Sequence, residues 1–110
     1  MSKLIDQYSV CFVDLSPIRG AEINEIRPCV VISPIEMNEH LRTIIIAPIT
    51  STGREGYPTR VRIAESEIKG WIVLDQIRAI DKTRLRRKTG ELSPEEISEV
   101  KNIIKEMLVD

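Results

Sequence analysis

The chain has 110 residues, of which 42% are hydrophobic and 30% are charged, and its net charge at neutral pH is −1. This length and composition predict a single globular domain spanning residues 1–110 and exclude general disorder. The longest apolar run, residues 44–49, is far shorter than the ~20 residues of a membrane-spanning helix, and an acid at position 6 interrupts any signal-peptide core. We therefore expect a soluble protein that is not exported.

Short runs rich in β-branched residues alternate with turns that contain proline, glycine or serine. These runs predict six strands, at residues 10–15, 29–32, 43–47, 59–63, 70–74 and 77–80. One helical turn fits between the second and third strands. Several short strands separated by turns indicate a mainly β fold, either a small barrel or a curled antiparallel sheet.

One long helix is predicted at the end of the chain. Ser93, Pro94 and Glu96 form a capping-box pattern, with serine as N-cap and glutamate three residues later. Apolar residues then recur at helical spacing, at positions 97, 100, 103, 104, 107 and 108. We expect this apolar face to pack on the sheet, which makes the fold class α+β.

The cysteines and the single histidine do not suggest a metal site. Cys11 and Cys29 lie in apolar runs and His40 stands alone, so neither a zinc pattern nor a histidine pair is present. No cofactor is expected. Residues 78–90 carry six basic residues and one acid, whereas residues 91–110 carry six acids and two basic residues. A basic stretch of this kind is found on phosphate-binding surfaces but more often in solvated turns.

Two polar residues at strand ends are candidates for phosphate binding. Arg27 precedes Pro28 at the start of the second strand, and Thr50 follows the third strand. If these strands pair antiparallel, the two side chains lie at the same end of the sheet. A guanidinium and a hydroxyl there can bind a phosphate, although a surface cation and an ordinary turn account for the same residues.

Several segments resemble motifs of the MazF/PemK toxin family, in the same order and spacing. They are EINEIRPCVVISP at 22–34, preceded by VDLSP at 13–17, then APITS at 47–51, GYP at 56–58 and LDQIRAID at 74–81. The resemblance implies an SH3-like barrel with a C-terminal helix, usually a homodimer. It also implies a cytoplasmic, metal-independent endoribonuclease that cuts single-stranded mRNA. Such a protein is the toxin of a type II toxin–antitoxin pair and is neutralised by a cognate antitoxin.

The resemblance also assigns candidate site residues. Arg27 and Thr50 match the family residues assigned to catalysis, and Glu22 is a possible base or positioning group. RNA supplies its own nucleophile, the 2′-hydroxyl, so the protein has to orient it and stabilise charge on the phosphate. The expected products carry a 2′,3′-cyclic phosphate and a 5′-hydroxyl. Candidate RNA-binding residues are Arg19, Ser51, Thr52, Arg54, Tyr57, Asp75, Gln76 and Arg78.

Two other functions fit the same fold class. A protein-binding toxin of the CcdB type, which inhibits gyrase, acts through apolar and aromatic residues at its C-terminus, and the ending of this chain, MLVD at 107–110, does not match. A non-catalytic SH3-like binding module would not require both Arg27 and Thr50. We expect the endoribonuclease.

Overall fold

A computed structural model describes residues 5–16, 25–51, 59–63 and 68–109 of the chain. Seven strands and two helices lie in these ranges. The strands are β1 (Ser9–Asp14), β2 (Ile26–Val31), β3 (Thr43–Thr50), β4 (Arg60–Ile63), β5 (Gly70–Val73), β6 (Arg78–Asp81) and β7 (Leu85–Glu91). The helices are α1 (Ile35–His40) and α2 (Pro94–Leu108), and two short 3₁₀ turns flank β6.

The strands form one curled antiparallel sheet. Its order is β4-β5-β3-β2-β1-β7, and β6 also pairs with β3. One edge of β3 pairs with β2. Its other edge pairs first with β6, at residues 43–46, and then with β5, at residues 49–50. In the described part of the chain β4 and β7 end the sheet, which therefore stays open. The predicted mainly β, α+β class with a curled sheet is confirmed.

Each face of the sheet carries its own apolar core. On one face Val30, Ala47, Ile49 and Ile72 pack with Val100 of α2 and form the helix-side core. The alternate residues of the same strands point the other way and form the opposite core, which contains Cys11, Val13, Cys29, Val31, Ile44, Ile46 and Ile80. Because adjacent residues point to opposite faces, the two cores together fix which way every side chain in the central strands points.

Helix α2 begins at the predicted capping box. Ser93 Oγ accepts a hydrogen bond from the Glu96 amide at 3.2 Å, and Glu96 Oε1 accepts one from the Ser93 amide at 2.8 Å. Val100 is fully buried, and the predicted apolar face packs against the helix-side core as expected. The last turn differs from this prediction: Leu108 was placed on the apolar face but is 68% exposed.

The basic stretch at 78–90 contains two strands rather than a turn. Strand β6 was predicted, but β7 was not, because its sequence LRRKTGE lacks the apolar alternation of a half-buried strand. Within the described residues β7 pairs with β1 alone and forms an edge of the sheet, with register shifts near Cys11. Charged side chains are common on edge strands because they discourage further pairing.

Gly70 at the start of β5 meets a steric limit. Its φ is +153°, and a Cβ built there would lie 2.4 Å from the carbonyl oxygen of Thr50. We expect Gly70→Ala to lower the free energy of unfolding by about 1–3 kcal/mol, because either the backbone or Thr50 must move. Urea denaturation measures this change.

Gly90 provides the matched control. A Cβ at Gly90 would meet nothing within 4 Å, so Gly90→Ala should change stability by less than about 1 kcal/mol. Equal losses in the two variants would contradict the steric explanation for Gly70.

Candidate functional site

Arg27 and Thr50 lie at the same end of the sheet. The register of β2 against β3 pairs Val31 with Ile46 and Cys29 with Pro48. Arg27 and Thr50 each lie two residues beyond the Cys29–Pro48 pair, at the same end of the two strands. The antiparallel pairing that the sequence argument required is therefore confirmed.

Two further residues extend this pair across the sheet. Trp71 of β5 lies opposite Thr50, and Arg62 of β4 lies opposite Trp71. Directly opposed residues of antiparallel strands point to the same face. Thr50, Trp71 and Arg62 therefore stand side by side on three neighbouring strands, and Arg27 lies at the same end of the sheet on β2. We call these four residues the cross-sheet row.

The cross-sheet row lies on the face turned away from α2. Ile49 and Ile72, the neighbours of Thr50 and Trp71 along their strands, belong to the helix-side core, so Thr50 and Trp71 point to the opposite side. Arg27 is likewise two residues from Cys29, a member of the opposite core. The row stands where this second core gives way to residues that are partly or fully exposed.

Arg27 is held by its backbone and by one ion pair. Its Nε lies 3.1 Å from Oε1 of Glu25, and the two side chains are 53% and 44% exposed. An exposed pair of this kind contributes at most about 1 kcal/mol, so a phosphate can displace Glu25 at small cost. Pro28, whose ring restricts φ at its own position and the conformation of Arg27, limits how far the backbone moves.

Arg78 adds a third cation to this face. It lies opposite Ile46 of the opposite core, and both Arg78 and Arg27 act electrostatically on the Cys29 thiol. Burial nevertheless raises the pKa of Cys29 to about 12. The thiol therefore stays protonated at neutral pH and does not act as a nucleophile.

A groove of about 430 Å³ runs beside Arg78, lined by Leu15, Ser16, Arg78, Ala79, Ile80, Asp81 and Arg84. Nη1 of Arg84 donates to the carbonyl oxygens of Asp14 at 2.9 Å and Ser16 at 2.7 Å. Arg84 therefore fixes the end of β1 against β6. Arg78, which is exposed, is the arginine of the groove that faces the solvent.

Hydrogen bonds join the chain before residue 17 to the chain after residue 24. Ser16 N donates to Asp14 Oδ1 at 2.9 Å, Glu25 N donates to Ser16 Oγ at 2.8 Å, and Leu15 N donates to the Glu25 carbonyl at 2.7 Å. This closure holds Glu25, and with it the start of β2, against the end of β1.

The remaining predicted residues fall into two groups. Asp75 and Gln76 are exposed on the 3₁₀ turn between β5 and β6, where Asp75 Oδ1 accepts a hydrogen bond from Thr59 Oγ1 at 2.8 Å. Ser51 is exposed just after β3. Five predicted residues lie outside the described residues: Arg19, Glu22, Thr52, Arg54 and Tyr57.

The sequence argument missed Trp71, Arg62 and Glu25. The alternation of residues 59–63 and the strand at 70–74 were both predicted, but only the pairing of β4 with β5 places Arg62 beside Trp71. Glu25 was treated as part of a polar loop. Its position two residues before Arg27 was the available clue, since alternate residues of an extended chain share a face.

The described ranges contain no group of three or more histidine, cysteine, aspartate or glutamate side chains placed to hold a metal ion. Neither helix there is long and apolar enough to cross a membrane.

A small open sheet that presents arginines and a threonine hydroxyl on one face defines a protein suited to contact a phosphodiester backbone. Comparison with known proteins makes this class specific. The chain belongs to the family of PemK-like, MazF-like toxins of type II toxin–antitoxin systems, whose model matches residues 6–108.

Individual relatives agree with the family assignment. The chain is 40% identical over 100 residues to the endoribonuclease MazF of Staphylococcus saprophyticus, covering 86% of this chain and 83% of that protein. Its fold matches a MazE–MazF structure from Deinococcus radiodurans with a TM-score of 0.85 at 24% identity, over 97% of each chain. A mycobacterial endoribonuclease in complex with its cognate antitoxin matches with a TM-score of 0.82 at 21% identity, over 94% of each chain.

The hydrogen bonds and charges around Asp14 lead us to expect a loss of stability in acid that depends on this carboxyl. The hydrogen bonds from Ser16, together with the charges of Arg86 and Arg84, hold the pKa of Asp14 below its ordinary value. A carboxyl with a lowered folded-state pKa stabilises the fold above its unfolded-state pKa, and this contribution is lost as the pH falls through the folded-state value. Asp14→Asn should therefore reduce stability at neutral pH and flatten the dependence of stability on pH in the acid range.

Urea denaturation at a series of acid to neutral pH values measures both effects. Curves for the variant and the unmodified protein should converge at the lowest pH, where Asp14 is protonated in both states. Parallel curves over the whole range would show that the charge of Asp14 plays no part.

Proposed function

We propose that this protein is an endoribonuclease toxin that cuts single-stranded mRNA at the cross-sheet row. The antiparallel pairing of β2 with β3 carries the proposal, because it brings the permanent cation of Arg27 and the hydroxyl of Thr50 to the same end of the sheet. Membership of the toxin family and the 40% identity to an endoribonuclease support the same activity.

The proposed reaction is an internal transesterification of RNA. The 2′-oxygen bonds to the phosphorus and loses its proton to a base, the bond from phosphorus to the 5′-oxygen breaks, and that oxygen takes up a proton. The products carry a 2′,3′-cyclic phosphate and a 5′-hydroxyl. The step uses a nucleophile supplied by the substrate, so the protein contributes positioning and charge stabilisation.

Each residue of the pair has a distinct role in this proposal. Arg27 stabilises the charge that develops on the non-bridging oxygens, and its guanidinium is too basic to accept a proton at neutral pH. Thr50 donates its hydroxyl hydrogen to a phosphoryl oxygen. The proton acceptor proposed from the sequence is Glu22, and Glu25, which already touches Arg27, is the other carboxylate to consider.

The proposed RNA-binding surface extends from the cross-sheet row to Arg78. Single-stranded RNA follows cationic grooves through its phosphates, and the groove beside Arg78 continues this face. Gln76 lies on the turn just before Arg78, while Asp75 supports that turn through Thr59. Further contacts proposed from the sequence alone are Arg19, Ser51, Thr52, Arg54 and Tyr57.

We also propose the partners and the site of action. Structural relatives were solved as MazE–MazF and as a toxin with its cognate antitoxin, and we expect this chain to form a homodimer and to be neutralised by an antitoxin of its own in the cytoplasm, where mRNA is translated. A CcdB-like gyrase inhibitor or a non-catalytic module is not favoured, because neither accounts for the family match together with the pairing of Arg27 and Thr50.

Cleavage of a mixed-sequence RNA in EDTA tests the activity. The unmodified protein should give discrete fragments that end in 2′,3′-cyclic phosphate. Arg27→Ala should slow cleavage by about 100- to 1000-fold, the usual loss when a transition-state donor is removed. Thr50→Val, which keeps the side-chain shape, should lower kcat more than it weakens RNA binding, whereas Thr50→Ser should retain most of the activity.

The end groups and the kinetic split decide between the functions. Intact RNA in the presence of correctly folded protein would reject the endoribonuclease and favour a binding module. If Thr50→Val weakened binding alone and left kcat unchanged, Thr50 would be a substrate contact with no role in the transition state.

The salt dependence of RNA binding tests Arg78. Each phosphate contact on single-stranded nucleic acid contributes about 0.7 to the slope of log affinity against log salt concentration. Arg78→Gln should reduce the slope by about this amount. Lys101→Gln is the control, because Lys101 is an exposed cation on α2, which covers the other face. An unchanged slope in Arg78→Gln would remove Arg78 from the RNA path.

A further inference from the structure

We propose that Trp71 and Arg62 form a stacking subsite for a nucleobase next to the scissile phosphate. This inference rests on the proposed endoribonuclease function and adds to it a residue that positions the substrate. Trp71 lies opposite Thr50 in the pairing of β3 with β5. Neighbouring strands are about 5 Å apart, so the indole stands one strand away from the hydroxyl assigned to the phosphate.

The environment of Trp71 differs from that of a core tryptophan. The ring is only partly buried, and it lies on the face opposite to the helix-side core that holds its neighbour Ile72. The guanidinium carbon of Arg62 lies 6.0 Å from the centroid of the ring. A partly buried indole with a planar cation over its ring provides a platform on which an unpaired base can stack.

The other described aromatic residues do not face the cross-sheet row. Tyr8 packs against the helix-side core. Phe12 pairs with Arg87 at 5.6 Å, but it lies next to Val13, which belongs to the opposite core, so its ring points to the other side of the sheet. Among these three rings Trp71 is therefore the one that shares a face with Arg27 and Thr50.

The phosphate-binding pair and the stacking pair are adjacent in the row, as a phosphate and the base of its nucleoside are adjacent in RNA. Arg27 and Thr50 hold the phosphate, and the ring and guanidinium of the next two strands follow in line. A base attached to the sugar beside that phosphate extends sideways from the backbone. Stacking it on Trp71 would fix the sugar next to the scissile bond, and so would help to align the 2′-oxygen for attack.

Intrinsic fluorescence reads this contact directly, because Trp71 is the sole tryptophan of the chain. Short mixed-sequence RNA with 2′-fluoro groups in place of the 2′-hydroxyls binds without being cut. On saturation it should quench the emission of Trp71, since a stacked base quenches indole. An abasic ribose-phosphate oligomer of equal charge should bind through the arginines and leave the emission nearly unchanged.

Three variants separate stacking from folding. Trp71→Leu keeps an apolar side chain without a π-face and should weaken RNA affinity about tenfold, with a comparable fall in kcat/KM. Trp71→Phe retains a ring and should recover most of this loss. Phe12→Leu disrupts the pair of Phe12 with Arg87, which lies on the helix-side face, away from the cross-sheet row. This variant should bind and cleave RNA as the unmodified protein does.

The outcomes distinguish this inference from the function on which it rests. Normal cleavage together with unquenched emission at RNA saturation, or a Trp71→Leu variant as active as Trp71→Phe, would overturn the subsite and leave the endoribonuclease standing. Failure of the unmodified protein to cleave or bind RNA would reject the function and the subsite together. Equal quenching by the abasic oligomer would also overturn stacking, because that ligand has no base.

Discussion

The antiparallel register of β3 against β2 and β5 is the constraint on which the rest of the structure depends. A shift of one residue would turn Thr50 towards α2 and bring Ile49 to the surface, because side chains alternate between the faces of a strand. Burial of Val30, Ala47 and Ile49 in one core and of Ile46 in the other prevents this shift. The apolar residues thus determine where the polar ones stand: Thr50 lies opposite Trp71 of β5 and at the same end of the sheet as Arg27 of β2.

The same constraint explains why the site is rigid without having a deep pocket. Thr50 lies at the end of a strand paired with β5, and Gly70 brings the backbone of β5 against the Thr50 carbonyl, where a side chain would not fit. The backbone of Arg27 is restricted by Pro28 and by the hydrogen bonds that hold the start of β2 against the end of β1. A backbone held in this way loses little freedom when a charged ligand arrives, which favours electrostatic stabilisation by the groups that it carries.

The sequence predicted the elements of the fold better than their arrangement. Local chemistry was enough for the capping box at Ser93 and for the six strands with regular patterns. It was not enough for β7, whose charged residues are tolerated because they lie on an edge strand, and it could not pair Arg62 with Trp71, which depends on a register set by distant core residues. Arg27 and Thr50 were brought together on the condition of antiparallel pairing, and the role of each in catalysis stays a prediction.

The charges of the site indicate which kind of ligand it can bind. Arg27 carries Glu25 as a weak, exposed partner, and Cys29 lies beneath Arg27 and Arg78 as a neutral thiol because burial outweighs both cations. The protein therefore offers cations that are only lightly compensated and no nucleophile of its own on this face. A ligand that satisfies these guanidiniums must bring its own negative charge. An RNA backbone does so and also brings a 2′-hydroxyl, whereas a carboxylate-rich protein segment brings the charge alone. In the proposed function, the cross-sheet row would bind an RNA substrate or an acidic inhibitor by the same charges, and only the RNA could react.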